Sequence, residues 1–131
     1  MSILNPQSKL LWHGDRVKNW LEGSTPSPVL VEIAPTGFCN ASCPWCFFKD
    51  KNTGGSIDTG VMLKTLKDLK KMGVKAINWT GGGEPTLHSD FERFVNRAHE
   101  LGLEQGLFTN AYIEVPPTFK WVRISLTNNG F

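Results

Sequence analysis

Apolar and polar positions along the chain follow two periods. Met62, Leu66 and Leu69 recur at helical spacing behind Asp58, which can cap an amino terminus, and ahead of Lys70, Lys71 and Gly73, which suit a helix end. A second stripe, Phe91, Phe94, Val95, Ala98 and Leu101, follows a Ser89 and Glu92 capping-box pattern and closes at Gly102. A shorter set, Leu10, Leu11, Val17, Trp20 and Leu21, predicts an amphipathic helix within residues 8–22, broken by GSTPSP. Four runs rich in β-branched and aromatic residues read as strands: 29–33 (VLVEI), 74–80, 103–109 and 121–126 (WVRISL). Trp12, Trp20, Trp79 and Trp121 are expected in core or helix-sheet packing, and His88 as a capping or surface residue.

Strands alternating with helices predict right-handed βαβ units. The expected fold is α/β, a partial parallel barrel of about four strands with helices outside and the amino-terminal helix packed near one end. The link 111–120 (AYIEVPPTFK) is too short and too rich in proline for a full crossover helix, so a turn or short helix must serve. At 131 residues the chain is one domain by length, divided as an extension, 1–28, and a core, 29–131. Working loops in such folds leave the carboxyl ends of the strands. Two stand out: residues 35–56, with every cysteine, and GGGEP at 81–85, where three glycines and a proline end regular structure. Alone, GGGEP fits a tight turn without a ligand equally well.

Composition removes several function classes. Charged residues are 20% of the chain and the net charge is +2, without the Lys/Arg stripe that a nucleic acid would need. No window approaches the roughly eighteen apolar residues of a membrane span, and the opening MSILNPQSKLLWHGDR lacks signal-peptide order, so a cytoplasmic protein is expected.

The three cysteines fall in CNASCPWC, with spacing C-x3-C-x2-C, a poor disulfide framework and a good metal-ligand cluster. Cys39, Cys43 and Cys46 on one loop suit a single polynuclear iron centre. A cubane with three protein thiolates keeps one iron open, as a catalytic zinc keeps one position open, and an open metal can bind a substrate. A structural zinc on these cysteines with His13 or His88 is the alternative, although such sites usually pair two C-x2-C knuckles. Plant-type two-iron clusters need a different spacing and a fourth cysteine.

A first strand followed by C-x3-C-x-aromatic-C, with Trp45 before Cys46, resembles the radical SAM superfamily. GGGEP resembles that family's GGE motif, and Thr109 with Asn110 after the third strand and RIS in the fourth follow in the family's order. The resemblance implies a four-iron four-sulfur (4Fe-4S) cluster on Cys39, Cys43 and Cys46, with S-adenosyl-L-methionine chelating the open iron through its amino and carboxylate groups. It further implies cofactor contacts from the backbone of Gly82, Gly83 and Glu84, from Trp45 beside the adenine, from Asn110, and from Ser125 at the ribose hydroxyls. An external one-electron donor of flavodoxin or ferredoxin type would reduce the cluster, and a 5'-deoxyadenosyl radical would take hydrogen from an unknown substrate.

The resemblance covers roughly residues 29–126. Four strands against the six of the family's usual core predict an incomplete domain of TIM-barrel-like type, one that a partner chain could complete. Thr127 stands where the family commonly has an acidic residue. The expected alternatives to a working enzyme are a truncated, cluster-binding relative without turnover and a zinc-stabilised interaction module. An unpaired apolar edge after Leu126 predicts poor solubility of the isolated chain.

Overall fold

In the computed structural model the described residues are 11–48 and 54–126. They form a four-stranded parallel sheet in the order β1-β2-β3-β4, with β1 at Leu30–Ile33, β2 at Ala76–Trp79, β3 at Glu104–Thr109 and β4 at Trp121–Ile124. Helix α1 spans Gly14–Leu21, α2 Thr59–Lys71 and α3 Phe91–Glu100, and a 3₁₀ turn covers Pro85–Leu87. Spatial order equals sequence order, as successive right-handed crossovers demand. The predicted α/β half-barrel is therefore the observed fold. Leu10, the start of the predicted amino-terminal helix at Ser8, and Thr127 lie outside the described residues.

The two strong helical stripes form the core. Met62 and Leu66 of α2 and Phe91, Phe94, Val95 and Ala98 of α3 are buried against Ile77, Trp79 and Leu107 of the sheet. Asp58 caps α2 by accepting the Val61 N–H at 3.0 Å. Gly73 and Gly102 end α2 and α3 at φ of 85° and 65°, the left-handed region that glycine enters without strain. Trp79 is fully buried because its indole N–H has a partner: it donates to the Gln105 Oε1 at 2.8 Å, and the Gln105 amide donates to the Val95 carbonyl at 3.0 Å.

Several local expectations fail. The capping box at Ser89 and Glu92 does not form; Asp90 is the N-cap of α3, and its carboxylate accepts the Thr59 hydroxyl at 2.6 Å instead. His88, expected as a capping or surface residue, does cap the 3₁₀ turn, but it is buried. Its Nδ1 accepts the Asp90 N–H at 3.0 Å, which leaves Nε2 protonated to donate to the Ile57 carbonyl at 2.9 Å. Of the tryptophans expected to pack, Trp12 and Trp20 are 83% and 66% exposed, and Trp121 is 39% exposed. Helix α1 buries no residue and is held by the Arg16 guanidinium, which donates to the carbonyls of Ser27, Pro28 and Gly73 at the amino ends of the strands. No helix forms between β3 and β4; Val115 and Phe119 of that link pack on the core, with Phe119 stacked on Phe91.

Candidate functional site

The loop from β1 to α2 is built from a stem and a tip. The stem is a bridge between Thr36 and Ser56, reinforced by their hydroxyls at 2.8 Å and by the Gly37 N–H to the Gly55 carbonyl at 2.7 Å. The Thr36 hydroxyl also accepts the Phe38 N–H at 3.1 Å, turning the chain toward Cys39. At the tip, the Cys46 N–H donates to the Cys43 carbonyl at 3.1 Å, a tight turn around Pro44 and Trp45. All three cysteines are free thiols; Cys39 and Cys46 are exposed and Cys43 is half-buried.

GGGEP lies directly against this loop. The Glu84 N–H donates to the Phe38 carbonyl at 2.8 Å. A Cβ on Gly83 would stand 2.1 Å from the Phe38 carbonyl oxygen, closer than any real contact, and one on Gly81 would stand 2.6 Å from the Gly83 carbonyl oxygen. Glycine at 83 therefore serves the close approach of the two loops, and glycine at 81 the tight turn of GGGEP on itself. Gly82 differs: among the described residues a Cβ there would meet only the Phe48 ring, at 3.6 Å. That residue faces open space beside the cysteines.

The open space is a cavity of about 320 Å³ at the carboxyl ends of the strands, in the range of small-molecule sites. Cys39, Cys43, Cys46, Trp45, Gly82, Gly83, Glu84, Asn110 and Ser125 all line it, so every site residue proposed from the sequence meets there. Phe108 completes one wall, with the Arg123 guanidinium 5.7 Å from its ring centre. Glu84 is the least expected component. It is buried, accepts four hydrogen bonds on its carboxylate, and has no cationic partner among the described residues.

Residues 33–131 match the profile of the radical SAM superfamily, which is most of the chain. The chain belongs to the radical SAM superfamily. It is 36% identical over 90 residues to an S-adenosylmethionine-dependent nucleotide dehydratase of Selenomonas ruminantium, covering 66% of this chain and 31% of that protein. It is 32% identical over 90 residues to a PqqA peptide cyclase of Rhodopseudomonas palustris, covering 67% and 23%. Streptococcus suis SuiB, solved bound to precursor peptide SuiA, superposes with a TM-score of 0.64 at 24% identity, covering 89% of this chain and 27% of SuiB. At that identity the likeness shows the fold alone. The chain spans less than a third of the length of these relatives.

The radical SAM motifs found in the sequence are thus brought to one place by the fold, and the residues present fit the family's cofactors. Three free thiols share one wall, and the neighbouring backbone at Gly82 leaves room beside them. Among the described residues no three His, Cys, Asp or Glu side chains converge as ligands of a single ion. His88, one of the two histidines weighed for zinc, has both ring nitrogens engaged inside the protein, and His13 precedes the helix anchored at the other end of the sheet. Among the described residues no helix is long and apolar enough to cross a membrane. Sequence reasoning missed Asn40 and the role of the Glu84 side chain, since nothing in a local pattern marks a partner 70 or 26 residues away.

Proposed function

We propose that this chain binds a four-iron four-sulfur cluster through Cys39, Cys43 and Cys46 and reductively cleaves S-adenosyl-L-methionine in the adjoining cavity. The convergence of the three thiols, Gly82, Gly83 and Ser125 on one cavity carries the reading. When bound, the cluster supplies the single electron that breaks a carbon-sulfur bond of the sulfonium and yields a 5'-deoxyadenosyl radical.

The chain's own residues do the rest. The three cysteines would hold three irons of the cluster as thiolates and leave one for the amino and carboxylate groups of the adenosylmethionine. The Gly82 and Gly83 backbone, beside the residue that ends the motif, Glu84, offers carbonyls to the N–H groups of that amino group. Trp45 borders the adenine and Ser125 the ribose hydroxyls. The buried carboxylate of Glu84, without a cationic partner among the described residues, favours a cationic ligand in the cavity it lines. Two relatives that share this segment are named for a nucleotide and for a peptide substrate, which supports assigning the shared residues to the cofactor rather than to substrate choice. The protein works in the cytoplasm, where thiols stay reduced, with a flavodoxin or ferredoxin as electron donor.

The test is anaerobic reconstitution with iron and sulfide, then dithionite and adenosylmethionine, assaying 5'-deoxyadenosine against a triple Cys39, Cys43, Cys46 to Ala control. Product from the wild type alone supports cleavage by this chain. A cluster without product reduces the reading to a cluster-binding domain, and failure to retain iron overturns it.

A further inference from the structure

Three loops of the site are joined by one continuous set of hydrogen bonds that begins at a buried carboxylate. Glu84 is 3% exposed. Its Oε1 accepts the Thr109 hydroxyl at 2.7 Å, the Thr86 hydroxyl at 2.8 Å and the Thr86 N–H at 3.3 Å, and its Oε2 accepts the Asn110 N–H at 2.8 Å. The Thr109 hydroxyl accepts the Ala111 N–H at 3.0 Å, so its own proton is directed to Glu84. Both residues at the end of β3 are therefore locked to the second loop. Asn110 carries the connection onward: its side-chain carbonyl accepts the Tyr112 N–H at 3.2 Å, which orients the amide, and its Nδ2 donates to the Asn40 Oδ1 at 2.7 Å.

Cys39 is tied on both sides as a result. Before it, the Phe38 carbonyl accepts the Glu84 N–H; after it, Asn40 accepts from Asn110. We propose that Asn110, oriented by Glu84, is a positioning residue that holds the cysteine loop through Asn40, its side chain acting on the loop rather than on the cofactor. This rests on the reading of that loop as the cluster-binding segment. Three thiolates can grip one cluster only if the loop presents them together, and partners that orient metal ligands contribute strongly to metal affinity. Exposed Asn40 and half-buried Asn110 are not core residues, so replacing them leaves the hydrophobic core intact.

The test uses Asn40→Ala, Asn110→Ala, the double variant, and Asn110→Asp, which keeps the acceptor for Tyr112 but cannot donate to Asn40. Amide hydrogen exchange of residues 36–46 is followed in the iron-free protein, and iron loss to a chelator after reconstitution. Each single variant is expected to exchange faster at residues 38–43 and to lose iron roughly tenfold faster, the low end for groups that orient metal ligands. The double variant should match the worse single one, because both remove the same contact. Additive effects, or unchanged exchange and iron loss with a weakened spectral response to adenosylmethionine in Asn110→Ala, overturn the proposal. If the wild type takes up no iron, the cluster reading falls, while exchange in the iron-free protein still decides whether Asn110 holds the loop.

Discussion

Replacing Glu84 with Gln keeps the side chain's shape and changes only what its two terminal atoms can accept. In one amide orientation the carbonyl serves Thr86 and Thr109, and the NH2 group faces the Asn110 N–H across 2.8 Å; in the other it faces the Thr86 N–H across 3.3 Å, while the hydroxyls turn to accept. Either way one backbone N–H loses a charged acceptor and meets another donor. An unsatisfied buried donor costs about 1–3 kcal/mol, and removing a buried charge without a cationic partner returns part of that. A net loss of about 1–2 kcal/mol follows, about 4–8 °C in melting temperature for a domain of this size. Glu84→Ala, which strips all four hydrogen bonds and leaves a hole, should lose more, about 2–4 kcal/mol, from the unsatisfied buried donors and the cavity. Circular dichroism melting of the iron-free chain measures both. Glu100→Gln is the control: its exposed pair with Arg97 at 2.6 Å is of a kind that contributes under about 1 kcal/mol. If Glu84→Gln melts with the wild type, or no lower than Glu100→Gln, the carboxylate is not the anchor of the three loops.

Two further outcomes follow from the glycines. Gly83→Ala would drive a Cβ into the Phe38 carbonyl and the Gly37 backbone, so the two loops must part, with iron retention falling toward the triple-cysteine control. Among the described residues Gly82→Ala meets only the Phe48 ring, and it should keep the melting temperature and the cluster while weakening the spectral response to adenosylmethionine; equal behaviour of the two variants would refute the division of roles. Gly106→Ala places a Cβ 2.2 Å from Cζ2 of Trp121, which forces the indole off the sheet at about 1–3 kcal/mol, read as altered tryptophan emission. Unchanged emission would show that the ring does not rest on Gly106.

Helix α2 was legible because its signals are local. Asp58, the Met62 and Leu66 stripe and Gly73 lie within a few turns of one another, and each plays the part its neighbours predict. The strands were legible as apolar runs for the same reason. Composition and local pattern misjudged Trp12 and Trp20, because an aromatic residue is buried only where a partner surface covers it, and α1 is attached by Arg16 rather than by an apolar face. His88 caps as its position suggested, but its burial was not legible. Its burial depends on the Ile57 carbonyl, 31 residues away, and on ring contact with Phe94.

By itself the sequence determined the parallel α/β class, the loops that carry the site, and the three thiols, since hydrophobic period, glycine and proline positions and C-x3-C-x2-C spacing are properties of neighbouring residues. Only the tertiary structure decided which glycine is spent on packing and which faces the cavity, and that Glu84, Thr109, Asn110 and Asn40 form one connection. Those outcomes depend on backbone approach and hydrogen bonds across 25 to 70 residues, which the parallel pairing of successive strands creates and no local pattern encodes.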